Sequence, residues 1–373
     1  MIENAPPLPL SKEDLPESIR RFADPNAPTP AKMMAAKGLV PVKGAALVTV
    51  LCQLSADEDD AVGRAATESL AGLPDAVLLP ACEADDLHTA VIDALADTFR
   101  AKDTVLERLI QNPNTANSTL ARIARMCSER MSELIAVNQQ RLIGAPLIVE
   151  ALYKNKHTRM STADRLIELC ARHGVELHGI PSFHAHVEAI QGQLIPEPTD
   201  EPLPSDLAFS EVLAEELDEA AISVDPVDGN EELKDKFKPL SFRIRDMSLS
   251  DKLRLAMVGD AAARSLLVRD PNKMVSNAAI TSPTMTAAEA AAIAHSKEIS
   301  ISILRAIGQR KEWIRTYGIK RALVFNPKTP VGLSLKFVTH MRPGDLKLLT
   351  KGRGVAGPVR AAAKQRLDKK DKK

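Results

Sequence analysis

The stretch Arg321-Ala-Leu-Val-Phe-Asn-Pro-Lys-Thr-Pro330 reads as the apolar end of a helix, a break and a capped restart. Proline has no N–H to give to a helix and disfavours helical dihedrals in the residue before it, so Asn326-Pro327 should stop the first helix. Thr329 can cap the next one, with Pro330 at its first position, where a missing N–H costs nothing. Weaker copies stand at Leu109-Ile-Gln-Asn-Pro-Asn-Thr115, Leu266-Leu-Val-Arg-Asp-Pro-Asn272 and Ala279-Ile-Thr-Ser-Pro-Thr284. A recurring phrase of this kind is punctuation in a degenerate helical repeat, not a catalytic motif.

Composition agrees. Of the 373 residues, 45% are hydrophobic but only 3% are aromatic, so Ala, Leu, Ile and Val must fill the core. Ala and Leu favour helices, whereas strands draw on aromatic and β-branched residues, and the chain therefore reads as all-α. Breaks at Asp270, Ser282, Ser296, Gln309 and Asn326 recur every 12 to 17 residues. At about 1.5 Å of rise per residue each helix is roughly 12–18 Å long, as in a tightly wound α-solenoid. In the N-terminal half, Ala45–Leu54 and Ala61–Leu70 flank the acidic break Ser55–Asp60, with Val62, Ala65, Ala66 and Leu70 on one stripe. The acidic break can cap the second helix and complement its dipole. This arrangement resembles a HEAT-type repeat, and the later cysteines, 45 and 43 residues apart, match paired-helix repeat lengths.

Five segments follow: a proline-rich N-terminal arm (1–30), a HEAT-like helical block (31–190), an acidic, proline-rich linker (191–240), a second helical block (241–367) and a basic tail (368–373). The arm should hold at most one short helix, with Leu15, Ile19 and Phe22 as its apolar face. The linker should be extended by self-repulsion, since 191–233 holds thirteen acidic residues and no Lys or Arg. Inside it, Ser205–Ile222 could form one amphipathic helix using Leu207, Phe209, Val212, Leu213 and Leu217, able to dock in a groove. The charges of the whole chain balance at 49 and 49, yet 297–373 carries twenty basic and five acidic residues. The N-terminus has no basic region followed by an apolar one, and no run reaches membrane-spanning length, so a soluble, cytoplasmic protein without membrane contact is expected.

With the breaks aligned, Val268-Arg-Asp-Pro-Asn272, Ile280-Thr-Ser-Pro-Thr284 and Val324-Phe-Asn-Pro-Lys-Thr-Pro330 resemble the leucine-rich repeat variant family and its HEAT-like relatives. In those all-helical solenoids Asn-Pro or Asp-Pro marks the turn. The resemblance covers about 261–367, and more loosely 109–170. It implies an architecture and a binding role. The clustered cysteines that hold an iron–sulfur centre in the family's type example have no counterpart here, so no cofactor is implied.

Catalytic signatures are missing: there is no GxxxxGK[ST], GxSxG, HExxH or EF-hand pattern, and the glycines of Gly354-Val-Ala-Gly357 are too sparse to cradle a phosphate. Cys52, Cys82, Cys127 and Cys170 form no CxxC pair and read as buried free thiols. His173, His178, His184, His186, Cys170 and Glu188 are the one dense group of potential ligands. Two rings two residues apart diverge on a helix, which favours surface histidines over a metal site. Adjacent acids such as Asp59-Asp60 are explained by helix capping.

The best functional candidate is a basic and aromatic stripe. On one helix leading into the opening phrase, Arg310, Trp313, Tyr317 and Lys320 or Arg321 should share a face. Arg315, Lys328, Lys336, Arg342, Lys347, Lys351, Arg353 and Arg360 add positive charge. Such a surface could hold an acidic segment or track a nucleic-acid backbone, with the aromatics stacking. The competing structural reading packs Trp313 and Tyr317 between repeats and leaves the cations solvated. The expectation is a noncatalytic scaffold or adaptor, with no small-molecule substrate, that binds an acidic protein partner. Its own linker is one candidate for that partner, and a nucleic-acid-binding repeat protein is the alternative.

Overall fold

The computed structural model describes residues 3–24, 26–214, 219–225, 228–352 and 354–371. The chain divides into two compact units, Met1–Gly179 and Ile180–Lys373. Among the described residues it is all-α apart from one short hairpin. The first unit contains α1 (Arg20–Ala23), α2 (Thr29–Ala36), α3 (Gly44–Ser55), α4 (Asp60–Ala71), α5 (Asp75–Cys82), α6 (Thr89–Thr98), α7 (Asp103–Gln111), α8 (Asn117–Met126), α9 (Glu129–Ala136), α10 (Gln139–Gly144), α11 (Pro146–Lys154) and α12 (Met160–Arg172). The second contains α13 (Phe183–Ile190), α14 (Pro204–Ala214), β1 (Ile222–Val224), β2 (Glu231–Leu233), α15 (Lys238–Asp246), α16 (Leu249–Val258), α17 (Ala261–Leu267), α18 (Lys273–Thr281), α19 (Ala287–His295), α20 (Ile301–Gln309), α21 (Tyr317–Phe325), α22 (Val331–Val338), α23 (Pro343–Lys351) and α24 (Gly357–Asp371).

The helix starts follow from local chemistry. The Asp59 carboxylate accepts the Ala61 N–H at 2.9 Å and caps α4, whose Val62, Ala66 and Leu70 are buried. Thr286 and Glu289 form the expected capping box of α19: the Thr286 hydroxyl accepts the Glu289 N–H at 3.2 Å, and the Glu289 carboxylate accepts the Thr286 N–H at 2.8 Å. Thr329 does not cap α22: Pro330, expected at the first helical position, occupies the N-cap, and the helix starts at Val331.

The opening phrase turns on its asparagine more than on its proline. Asn112, Asn155 and Asn326 follow α7, α11 and α21, and all three are buried. Each Oδ1 accepts the N–H two residues on, from Asn114 (2.9 Å), His157 (2.9 Å) and Lys328 (3.0 Å), which turns the chain out of the helix. Each Nδ2 donates to two carbonyls where a neighbouring helix ends: Cys82 and Ala84 at 2.8 and 3.1 Å, Ala124 and Cys127 at 2.9 Å, and Ala294 and Ser296 at 2.8 and 2.7 Å. Helix-end carbonyls have no partner inside their own helix, and burying one unpaired costs about 1–3 kcal/mol. A single side chain thus ends one helix and satisfies the end of another packed beside it. The helix pairs so joined are α5 with α7, α8 with α11, and α19 with α21. After α18 the same place holds Ser282, whose side chain is shorter. There Arg264 reaches across instead, donating to the Gly259 carbonyl at 2.8 Å and the Thr284 hydroxyl at 2.9 Å.

A threonine three residues on completes the motif, the N–H groups of Thr115, Thr158 and Thr329 donating to the asparagine carbonyls. In the first unit the pattern extends further. Asn112, Thr115, Thr119, Arg122 and Cys127 recur 43 residues later as Asn155, Thr158, Thr162, Arg165 and Cys170. Both Thr119 and Arg122 bind the Asp93 carboxylate of α6, and both Thr162 and Arg165 bind the Glu133 carboxylate of α9. Equivalent residues thereby make equivalent rungs between helices.

Two expected segments differ from the structure. The arm is ordered over much of its length: Leu10, Leu15, Ile19 and Ala23 are buried in the first unit, because the arm carries aliphatic residues between its prolines. The acidic segment is irregular and mostly exposed over 191–203, as expected of a spacer, but from Pro204 onward it folds. Its helix α14 buries Phe209 and Val212, and the Arg254 guanidinium of α16 lies 5.1 Å from the Phe209 ring centroid. β1 and β2 pair antiparallel, with Ile222 opposite Leu233. The hairpin is fastened to the second unit by hydrogen bonds from Lys297 N–H to the Gly229 carbonyl (3.1 Å) and from Ala221 N–H to the Ser265 hydroxyl (2.8 Å). Glu231 accepts from Arg269 at 2.8 and 2.9 Å with both groups nearly buried. Charge repulsion lost because a few acids found fixed cations and the apolar residues between them found a core. The unit boundary accordingly falls after Gly179, and α13 packs against α16 in the second unit. Leu217, Arg353 and Lys372–Lys373 lie outside the described residues.

Candidate interaction surface

The stripe expected on one helix is broken into three pieces. α20 ends at Gln309, Trp313–Arg315 form a single 3-10 turn, and α21 starts at Tyr317. The Arg310 guanidinium stacks 4.2 Å from the Trp313 ring centroid, and Trp313 itself is only 4% exposed. Trp313 is therefore a packing residue.

Tyr317 is the centre of a polar node that ties α21 to α23. Its hydroxyl donates to the Asp345 carboxylate and accepts the Arg342 N–H at 3.0 Å. Arg321 donates to the other Asp345 oxygen at 2.8 Å. The Arg342 guanidinium covers the Tyr317 ring at 4.4 Å, and the Arg321 guanidinium lies 4.9 Å from the Phe325 ring centroid. Burial alone would raise the Asp345 carboxyl, but the hydrogen bonds from Arg321 and Tyr317 outweigh it and hold the group below the usual carboxylate range. Burial and the bond to Asp345 push the Tyr317 phenol above its ordinary value. One acid thus fixes a phenol and a guanidinium of the stripe, and helix spacing within α21 could not have revealed it, since Asp345 lies 24 residues beyond Arg321.

The remaining predicted residues are less constrained. Arg315, Lys328 and Lys336 are exposed, and Lys320 is half-buried. The Lys328 ammonium donates to the Glu298 carbonyl at 3.3 Å, and that of Lys336 sits 5.9 Å from the Phe337 ring centroid. Lys347, Lys351 and Arg360 add further exposed cations on α23 and α24. The structure brings Tyr317, Arg321 and Arg342 together and leaves Arg315, Lys328 and Lys336 on the surface as separate charges.

Two acids of the linker are matched elsewhere. Glu219 pairs with Lys234 and Lys236, and Glu231 with Arg269, none of which belongs to the stripe. Desolvation works against the Glu231 charge, but Arg269 outweighs it and keeps the carboxyl below its ordinary range, with Lys328 adding a small attraction.

The four cysteines are free and buried. Burial pushes the thiols up, to about 12 for Cys82 and Cys127 and about 11 for Cys170, so they stay protonated and poorly nucleophilic at neutral pH. His186 is buried within α13. Among the described residues, no group of three His, Cys, Asp or Glu side chains is disposed to hold a metal ion, and no helix is long and apolar enough to cross a membrane. No protein-family model, curated protein or solved structure matches the chain.

Proposed function

We propose that the chain is a noncatalytic α-solenoid of the HEAT-like, leucine-rich-repeat-variant type that binds an acidic protein segment through the cations of its C-terminal helices. The observation that supports this is the imbalance of α21–α24. Asp345 is committed to the Tyr317 node, while Lys328, Lys336 and Lys347 remain exposed, within 297–373, which holds twenty basic and five acidic residues. A surface of that kind attracts acidic segments over a Debye length and loses the attraction as salt rises. Two linker acids, Glu219 and Glu231, are matched by Lys234, Lys236 and Arg269, which favours a segment from another molecule over the linker as the partner. The aromatics weigh against the nucleic-acid alternative. Base stacking needs an open ring face, but Trp313 is buried and Tyr317 lies under Arg342.

The test is fluorescence anisotropy of the full chain with a labelled poly-glutamate peptide and, separately, with labelled DNA and RNA oligonucleotides, at about 50 and about 150 mM salt. Saturable peptide binding that falls at least tenfold in the triple variant Lys328→Glu, Lys336→Glu, Lys347→Glu is expected. No peptide binding at the lower salt overturns the proposal. Oligonucleotide binding with a steep salt slope would replace it with the nucleic-acid reading.

A further inference from the structure

Arg141 of α10 is a buried cation, only 9% exposed, whose charge meets no carboxylate among the described residues. Its Nε donates to Asn117 Oδ1 at 3.0 Å and its Nη2 to the Thr115 carbonyl, while Nη1 donates to none of the described residues. Acids on the helices around it are already paired: Glu107 of α7 with Arg130 at 2.9 Å, and Glu129 and Glu133 of α9 with Arg159 at 2.7 Å and Arg165 at 3.1 Å. Lys32 and Arg264 are buried to a similar degree, yet they meet Asp57 at 2.8 Å and Glu289 at 2.9 Å. Burial holds the Arg141 guanidinium below its ordinary value, and no acid opposes the shift. A neutral amide would serve the Thr115 carbonyl, as Asn112, Asn155 and Asn326 serve theirs, so packing alone gives no reason for the charge.

Arg141 lines a cleft of about 380 Å³ where α9 packs against α7 and α8, and it is the one charged side chain on that lining. Such a volume falls within the roughly 300–1,000 Å³ of small-molecule sites. The walls are aliphatic: Ile110, Leu120 and Ile135 are buried, Leu134 is half-buried, and Val137 is left 74% exposed beside the opening. A guanidinium in such apolar surroundings attracts an anion more strongly than it would in water. With no second cation on the lining, a phosphate would bring more charge than the cleft can neutralise, whereas a carboxylate brings one. We propose that this cleft binds a small aliphatic monocarboxylate, its carboxylate on Arg141 Nη1 and its chain along Ile110, Leu120, Leu134 and Ile135. The site belongs to the first unit and does not depend on the cations of α21–α24.

The test is isothermal titration of the full chain with octanoate and, separately, with octan-1-ol, octyl phosphate and a short peptide ending in leucine. Saturable binding of octanoate at a single site is expected, at least tenfold tighter than that of the alcohol or the phosphate. Arg141→Gln removes the charge and should weaken octanoate at least tenfold. Because that change also disturbs the bonds to Asn117 and Thr115, a second variant leaves them in place. Val137→Asp, at an exposed position on the cleft, should weaken octanoate at least threefold by repulsion while melting like the unaltered chain. No saturable octanoate binding at about 1 mM overturns the proposal, and so does octanoate binding that is unchanged in either variant when that variant is folded. Octanol binding as tight as octanoate would mean that the charge is not used, and it also overturns the proposal. Tighter binding of octyl phosphate would make the ligand a phosphate, and capture of the peptide without octanoate would make it a chain terminus; either result overturns the small carboxylate.

Discussion

Asn326 does the work that its neighbouring proline first advertises. Its amide closes two carbonyls of α19 and a turn of its own chain, and Asn112 and Asn155 repeat the arrangement. Asn155 has no proline after it, so the constant element is the amide with its paired donor and acceptor. Replacing Asn326 or Asn155 by Ala should cost about 2–4 kcal/mol each, since two buried carbonyls and one N–H lose their partner together. Urea denaturation of the single variants measures this. The Tyr317 node gives a pH signature. Asp345 has a folded-state value depressed below its ordinary 3.8, so its contribution is present above that value and is lost as pH falls through the folded one. The stability difference between the unaltered chain and Asp345→Asn should therefore shrink between about pH 5 and pH 2. Tyr317 has the opposite sign: its value is raised above 10.0, so its contribution is present below 10.0 and is lost as pH rises through the folded value. Tyr317→Phe should flatten that alkaline limb.

Glycine is required at two points, the end of α16 and the approach of α20 to Leu333 of α22. A Cβ on Gly259, where α16 ends, would lie 2.5 Å from the Leu255 carbonyl oxygen, so backbone must move. On Gly308 of α20 it would lie 2.4 Å from Leu333 Cδ2, the end of a side chain that can rotate away. Gly259→Ala should lower the melting temperature more than Gly308→Ala, the former costing about 1–3 kcal/mol. At this scale two helix starts were legible, because a cap depends on residues within one turn: those set by Asp59 and by Thr286 needed no distant partner. The acidic segment was misread because its fate is set by Arg269, which lies 38 residues from Glu231, and by the core that receives Phe209. The Trp313 stripe was misread for a related reason. Periodicity carried one helix through Arg310–Arg321, whereas burial of Trp313 and the bond from Tyr317 to Asp345 favour a break between α20 and α21.

At the scale of the molecule, two compact units with separate cores should unfold as separate cooperative blocks. Calorimetry should resolve two transitions, with Asn155→Ala lowering one and Asn326→Ala the other. A single transition shifted by both variants would show one cooperative unit. The all-helical class was decided by the sequence alone, because low aromatic content, Ala- and Leu-rich stretches and recurring breaks are properties of short windows. The surplus of positive charge after residue 297 was equally plain, since charge is additive along a chain. Only the tertiary structure decided which asparagines clamp which helices, which cations are already committed to Asp345, and that the arm and acidic segment join the units instead of trailing from them. Each of those outcomes depends on partners 24 or more residues apart, a separation at which loop closure and burial outweigh local preference.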